Sequence, residues 1–277
     1  MVYICMGYYD FEECGYVGIH MVLVYVGTSG WSYFWNRDGS LKWYIANTRF
    51  NAVELNMSFY RFPFPSLPKH WARIGSNLAW AIKVNRIITH RMRFSERAIN
   101  TWEKFRGLFR PMEERGLIHF YLFQCPPYLK PTPRNVENIE RFVDATGLGE
   151  EFAIEFRNDE WFKPKWERWA RKLGITMVSV DAPEFQNKIY CSSRRIYVRI
   201  HGRETWYHHI YSREEVVELL ENVAKKMRGV DAVYFFLNNN HGMLPTGNMI
   251  IDIVEEQING ASYMQRESRM SLRALKA

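Results

Sequence analysis

Eight short apolar runs, most of them carrying polar residues at their C-terminal ends, constrain this sequence more than any other feature. They cover residues 22–26, 52–56, 80–85, 119–124, 152–157, 176–181, 197–202 and 232–237. Runs such as Val22-Leu23-Val24-Tyr25-Val26 and Ala232-Val233-Tyr234-Phe235-Phe236-Leu237 are apolar throughout. Strands buried on both faces read this way, which points to a parallel sheet covered by helices. Most runs are followed by a stretch of helical periodicity. Residues 95–116 set Ile99, Trp102, Phe105, Leu108 and Phe109 on one face behind Ser95 as a cap. Residues 135–146, 163–173, 212–227 and 246–258 also read as helices, and 212–227 opens on Ser212 with Glu214 and Glu215 in its first turn. A short helix is expected near 68–75, and 32–50 reads as an irregular aromatic loop followed by another. Eight strand–helix units in about 250 residues predict an α/β fold, a single (β/α)8 barrel of the TIM type. An open doubly wound sheet is the fallback architecture.

No composition break divides the chain, so one barrel domain is expected over 21–260. Residues 1–20 read as an N-terminal extension without a clear period. Either the barrel begins at Met21 or the leader covers its bottom, and no chemistry is expected there. Residues 261–277 form a basic, polar tail.

Composition sets the class of molecule. Hydrophobic residues make up 47% and charged residues 24% of 277, which is globular and excludes wholesale disorder. No apolar run reaches the ~18 residues of a membrane span. The apolar N-terminus lacks a basic region and carries Asp10, Glu12 and Glu13, a poor secretion signal. Cys5, Cys14, Cys125 and Cys191 form no CxxC pair and match no zinc spacing, so reduced thiols in the cytoplasm are expected. The net charge of +7 favours an anionic partner: a phosphate, an acidic metabolite or nucleic acid. No run of five Lys or Arg marks a dedicated nucleic-acid arm. The turn Gly27-Thr28-Ser29-Gly30-Trp31 offers backbone N–H groups to an anion but matches no dinucleotide or Walker pattern.

Active sites of such barrels lie at the C-terminal ends of the strands. Residues i and i+2 of a strand share a face, about 7 Å apart. The runs end on Glu54 with Asn56, Lys83 with Asn85, Gln124, Glu155 with Arg157, Ser179 with Asp181, Arg199 with His201, and Asn238. Placed around one barrel, these pairs converge on one mouth. Glu54, Glu155 and His201 are the candidates for acid/base work. The competing reading is that the carboxylates are locked in ion pairs with Lys83, Arg157 or Arg199. Those three cations would hold an anionic ligand, and a desolvated Lys83 could alternatively form a Schiff base. Asn56, Asn238, Asp181, Trp31, Tyr60 and His90 complete the expected binding set. Glu155, Asp181 and His201 could hold a divalent metal, although Asn238 stands where a fourth carboxylate would be and Arg199 repels a cation. Trp31, Tyr60, Trp161 and Trp206 follow strand ends, where they either stack on a sugar or base or pack the loops.

Seven segments carry a resemblance: Gly27-Thr28-Ser29-Gly30-Trp31, Glu54-Leu55-Asn56-Met57-Ser58-Phe59-Tyr60, Lys83 with Thr89-His90, Gln124-Cys125-Pro126-Pro127, Glu155-Phe156-Arg157, Tyr197-Val198-Arg199-Ile200-His201-Gly202 and Phe236-Leu237-Asn238-Asn239. In this order, over about 24–250, the chain resembles the YecE-like family, domain of unknown function 72. The resemblance implies a TIM-type barrel and supplies no reaction. Cys125 replaces a usual Leu and Leu237 a common Phe, and neither departure changes the expected pocket.

The reading at this level is acid/base chemistry, of hydrolase or isomerase type, on a small anionic or phosphorylated ligand at the mouth. Two alternatives stand beside it. One is a nucleic-acid-associated protein that uses the mouth aromatics and the tail residues Arg266, Arg269, Arg273 and Lys276. The other is a non-catalytic ligand-binding scaffold.

Overall fold

The computed structural model describes residues 4–9 and 19–257. Ten strands appear in chain order: β1 Ile4–Tyr9, β2 Ile19–Thr28, β3 Ala52–Leu55, β4 Ala79–Lys83, β5 Ile118–Gln124, β6 Phe152–Glu155, β7 Thr176–Met177, β8 Ser179–Asp181, β9 Arg195–Ile200 and β10 Ala232–Leu237. The helices are α1 Leu41–Asn47, α2 Met57–Tyr60, α3 Ser66–Ile74, α4 Glu96–Glu113, α5 Pro133–Thr146, α6 Pro164–Lys172 and α7 Arg213–Ala224, then α8 over 243–257.

The strands pair in the order β7-β6-β5-β4-β3-β2-β10-β9-β8. Only Val178 separates β7 from β8, and its N–H bonds to the Ile154 carbonyl of β6. They are halves of one strand, the first pairing with β6 and the second with β9. The sheet therefore closes on itself with eight strand positions, all parallel, as the run pattern predicts. Alternation then divides each strand between two cores. Ala52, Ala81, Phe120, Leu122, Ala153, Val178, Val180, Tyr197, Tyr234 and Phe236 pack inside the barrel. Val53, Leu55, Trp80, Ile82, Tyr121, Phe123, Ile154, Val198 and Phe235 pack outward in the second core, which the buried helix faces share.

Local chemistry explains the helix ends. Thr132 caps α5 by accepting from the Asn135 N–H, Pro133 begins the helix, and Gly147 ends it in the left-handed conformation at φ 60. Ser212 and Glu215 form a capping box at α7. Helix α4 stops at Glu113, short of the expected residue 116. Pro111 lies in its last turn, and Gly116 turns the chain at φ 63.

The N-terminal segment has more structure than its sequence suggests. β1 pairs antiparallel with β2 from Ile4 opposite Val24 to Tyr9 opposite Ile19, so β2 begins two residues before Met21. This edge of β2 is open because β3 pairs only with Gly27 and Thr28. Asn51 bridges the changeover. Its side-chain oxygen accepts from the Val26 N–H at 2.7 Å, and its amide donates to the Val24 carbonyl at 3.0 Å. Gly27 lies where β2 changes partner, and any Cβ there would run into the Ala52 carbonyl. The expected tail, 261–277, lies outside the described residues.

Candidate active site at the barrel mouth

The mouth has a fixed ionic floor. Glu54 on β3, Glu155 on β6 and Arg199 on β9 are all fully buried. Arg199 Nε and Nη2 donate to Glu54 Oε2 and Oε1 at 2.8 and 2.6 Å, and Nη1 donates to Glu155 Oε2 at 2.5 Å. Tyr197, two residues back on the same face of β9, donates its hydroxyl to Glu54 Oε2 at 2.6 Å. Arg157 Nε holds the remaining oxygen of Glu155. Every carboxylate oxygen of the pair thus accepts from an arginine or a tyrosine. Burial alone would raise the Glu155 pKa, but Arg157, Arg199 and Lys83 overcome it and hold the carboxyl at about 2.

His201 stands at the edge of this floor. Arg157 Nη2 lies 3.1 Å from its Nε2, and the Asn238 amide lies 3.1 Å from its Nδ1. A guanidinium can only donate, so Nε2 accepts and the neutral ring carries its proton on Nδ1. Burial, then Arg157, Arg199 and Lys83, push the His201 pKa well below the ordinary value, consistent with a neutral ring. Facing an Nδ1 proton, the Asn238 amide must present its oxygen. Its nitrogen then turns to Ser29 Oγ, 2.7 Å from the same amide group. Trp206 covers this corner, with the Arg157 guanidinium 4.6 Å and the His201 ring 5.2 Å from its rings. The chain reaches Trp206 through Gly202 at φ 117, where a Cβ would strike the Thr205 carbonyl and His209.

Lys83 differs from the other two cations. It is buried at the end of β4 and forms no ion pair with a described carboxylate. Its Nζ lies 4.4 Å over the Phe59 ring. Desolvation first, and then the charge of Arg199, pull its pKa down to about 7 despite Glu54 and Glu155 nearby. With Lys83 protonated, the floor holds three cations against two carboxylates, so one positive charge is uncompensated. Phe59 also touches His90 and Tyr60, with ring centroids 5.2 and 5.1 Å away. His90, half-buried, is pushed below its ordinary pKa by burial, Lys83 and Arg86. It sits in a π-helical turn over Ile87–Arg91, just beyond β4. Asn56 donates to the Ser29 carbonyl at 3.2 Å, while its buried Oδ1 has no hydrogen-bond partner. Tyr60 is exposed at the rim.

Of the expected set, the mouth gathers Glu54, Glu155, His201, Lys83, Arg157, Arg199, Asn56 and Asn238, with His90 and Tyr60 on one rim. Asp181 and Trp31 lie elsewhere. Val178 and Val180 fill the inside of the barrel, so Ser179 and Asp181 face outward. There Asp181 accepts from Tyr211 at 2.6 Å and from Arg203 Nε at 3.1 Å. The two polar residues share a face as expected, but on the opposite side of the sheet. The triad of Glu155, Asp181 and His201 is therefore not assembled. No three His, Cys, Asp or Glu side chains among the described residues are grouped to hold a metal. Trp31 packs edge-on against Trp71 and Trp80 in the outer core. Trp161, fully buried, stacks on Phe156 and donates to the Leu129 carbonyl. Sequence reasoning missed Tyr197, Phe59 and the Ser29 side chain as parts of the site. Tyr197 stands at i−2 from Arg199, which marked it as facing the same interior.

Comparisons with known proteins agree with this architecture. A DUF72 protein from Thermotoga maritima superposes with a TM-score of 0.71 at 27% identity, covering 84% of this chain and 99% of its own. A DUF72 protein from Enterococcus faecalis superposes with a TM-score of 0.71 at 20% identity, covering 85% of this chain and 99% of its own. A comparison with curated proteins returned no match. The family model described as "Protein of unknown function DUF72" matches residues 25–250, a span that holds the barrel strands from Tyr25 onward and every mouth residue described above. The chain belongs to the DUF72 family.

Proposed function

We propose that the barrel mouth is the active site of an enzyme that binds a small anionic ligand and carries out proton transfer on it, in a hydrolase- or isomerase-type reaction. One observation carries this reading: Lys83 is a buried amine with no carboxylate partner among the described residues and a pKa of about 7. An amine balanced near neutrality can take up and return a proton at little cost, which is what a general acid/base needs. Its surplus charge fits one negative group on the ligand. The unpartnered Asn56 Oδ1 would receive a ligand hydroxyl. Glu54 and Glu155, saturated by Arg199 and Arg157, hold the arginines in place. His201 keeps Arg157 aimed through its accepting Nε2, and Trp206 closes that side.

The test is binding of glycolate and glycerol phosphate to the parent and to Lys83→Met at pH 6 and pH 9. The reading expects a mouth component that is present at pH 6, weaker at pH 9 and lost in the variant. Equal binding by the variant at pH 6 overturns it.

A second reading, single-stranded nucleic acid at the rim, is favoured by the placement of apolar surface. Phe34, Tyr60, Phe62, Phe64, Tyr128, Tyr207 and Ile210 are the exposed large hydrophobics among the described residues. All seven lie on segments that leave the C-terminal ends of strands, where aromatic rings could stack on bases. Absence of oligonucleotide binding at 50 mM salt sinks this reading.

A further inference from the structure

Away from the ionic floor, on the flank where α4 and α5 begin, lies a cavity of about 440 Å³. Four arginines line it: Arg91 and Arg93 from the segment after β4, Arg97 from the first turn of α4, and Arg134 from the first turn of α5. None forms an ion pair with a described carboxylate; the Arg93 guanidinium lies 5.9 Å over the Tyr128 ring. Charge is concentrated here in the sequence as well. Residues 55–102 contain eight Lys or Arg and one carboxylate, Glu96, an excess equal to the whole chain's +7.

The four arginines are exposed, and three features favour an anion among them. Four like charges repel across one cavity. Arg97 and Arg134 sit in the first turns of their helices, where the helix dipole disfavours a cation and favours an anion. Ser95 precedes α4 without capping it by its side chain; the Ala98 N–H bonds to the Ser95 carbonyl at 2.7 Å, which leaves the N–H groups of Glu96 and Arg97 to donate. The backbone is also held in a strained form. Arg93 and Phe94 take φ 47 and 58, and Phe94 is anchored in the core against Phe123 and Phe142. That anchor turns Arg93 out to the cavity.

We propose that this cavity is a phosphate-binding site, separate from the barrel mouth, in which the four guanidinium groups and the start of α4 take one phosphoryl group. Planar guanidinium forks suit phosphate oxygens, and four of them lining one cavity match a dianion. Arg91 also lines a neighbouring cavity with Tyr60 and His90. A phosphate bound here would thus lie on the side of the rim that leads to Lys83. The phosphoryl group could belong to a small phosphate ester or to a polynucleotide backbone.

The test uses the full chain carrying Lys83→Met, so that the mouth contributes no amine, and compares it with the same chain also carrying Arg97→Gln and Arg134→Gln. Melting is followed while inorganic phosphate replaces chloride at fixed ionic strength. Phosphate should raise the Tm of the first protein and bind at least about tenfold more weakly to the second. Without phosphate the second should melt no lower than the first, because the repulsion and the unfavourable dipole contacts are gone. Equal stabilisation of both, or none of either, overturns the site. A lower Tm of the second without phosphate means the arginines are structural, and also overturns it. A single-stranded oligonucleotide and glycerol phosphate identify the source. Tighter oligonucleotide binding with a steep salt dependence assigns the phosphate to a polynucleotide, and comparable binding of the two assigns it to a small ester; either supports the site. Both proteins lack the Lys83 amine and differ only at Arg97 and Arg134, so failure here is distinguishable from failure of the mouth reading.

Discussion

At the scale of single residues, Arg199 and Lys83 show two fates of a buried cation. Arg199 meets two carboxylates in bidentate and monodentate contacts, so its charge is matched on the spot. Replacing it with Met leaves Glu54 and Glu155 in a desolvated site with a lost partner. The expected cost is on the order of 3–5 kcal/mol, measured by urea unfolding at pH 7. Lys83 has no such partner, and its folded pKa of about 7 lies below its ordinary value of 10.5. The unfolded chain therefore binds more protons than the folded one between pH 7 and 10.5. Stability rises with pH across that window, and the full cost of the buried charge is felt below pH 7. Lys83→Met should accordingly be more stable than the parent at pH 6, by a few kcal/mol at most, and the gap should close toward pH 10.5. A melting series over pH 6–10 for both proteins checks the sign.

At the scale of elements, the strands were legible because burial on both faces leaves an unmistakable apolar run, and the eight runs match the eight barrel positions. Which face a polar pair occupies was less legible. Ser179 and Asp181 alternate as Glu155 and Arg157 do, yet they face outward, because Val178 and Val180 fill the interior on that strand. Period-two reasoning fixes that two residues share a face and leaves open which face it is. The outward use of Asp181, accepting from Tyr211 and Arg203, depends on the segment after β9 folding back over the sheet, and no local pattern announces that contact. Trp31 and Trp161 follow strand ends just as Trp206 does, but their loops carry them into the outer core. Gly202 ends the run 197–202, and the structure shows why a glycine stands there. Its φ of 117 and the closeness of the Thr205 carbonyl allow no side chain. Gly202→Ala should cost about 1–3 kcal/mol and displace the loop that carries Trp206. The change in tryptophan fluorescence, read beside the loss of stability, checks both.

For the whole molecule, the closed barrel places its charges so that acid and base act on stability through different strands. Glu155 is held at about 2 against an ordinary 4.5, chiefly because two arginines overcome its burial. Its contribution is fully present above pH 4.5 and is lost as pH falls through 2, on the order of 3 kcal/mol in all. Glu155→Gln should flatten the acid limb of the stability curve between pH 4.5 and 2. The tiered arrangement also separates tasks. The lower barrel is packed with Ala, Phe and Tyr, the ionic floor lies above it, and among the described residues the exposed aromatics lie on the segments leaving the mouth. The sequence showed the polar strand ends but not their division into a saturated network and one unpartnered amine, because that division depends on side chains from strands far apart in the chain.

The most direct test of the account is an NMR titration of the Lys83 side chain, assigned by its absence in Lys83→Met, without and with a small anionic ligand. The account predicts a midpoint near pH 7 in the free protein, moving upward when the anion is bound, because a negative charge beside the amine favours its protonated form. A midpoint near the ordinary 10.5, or one that does not move with the bound anion, would contradict it.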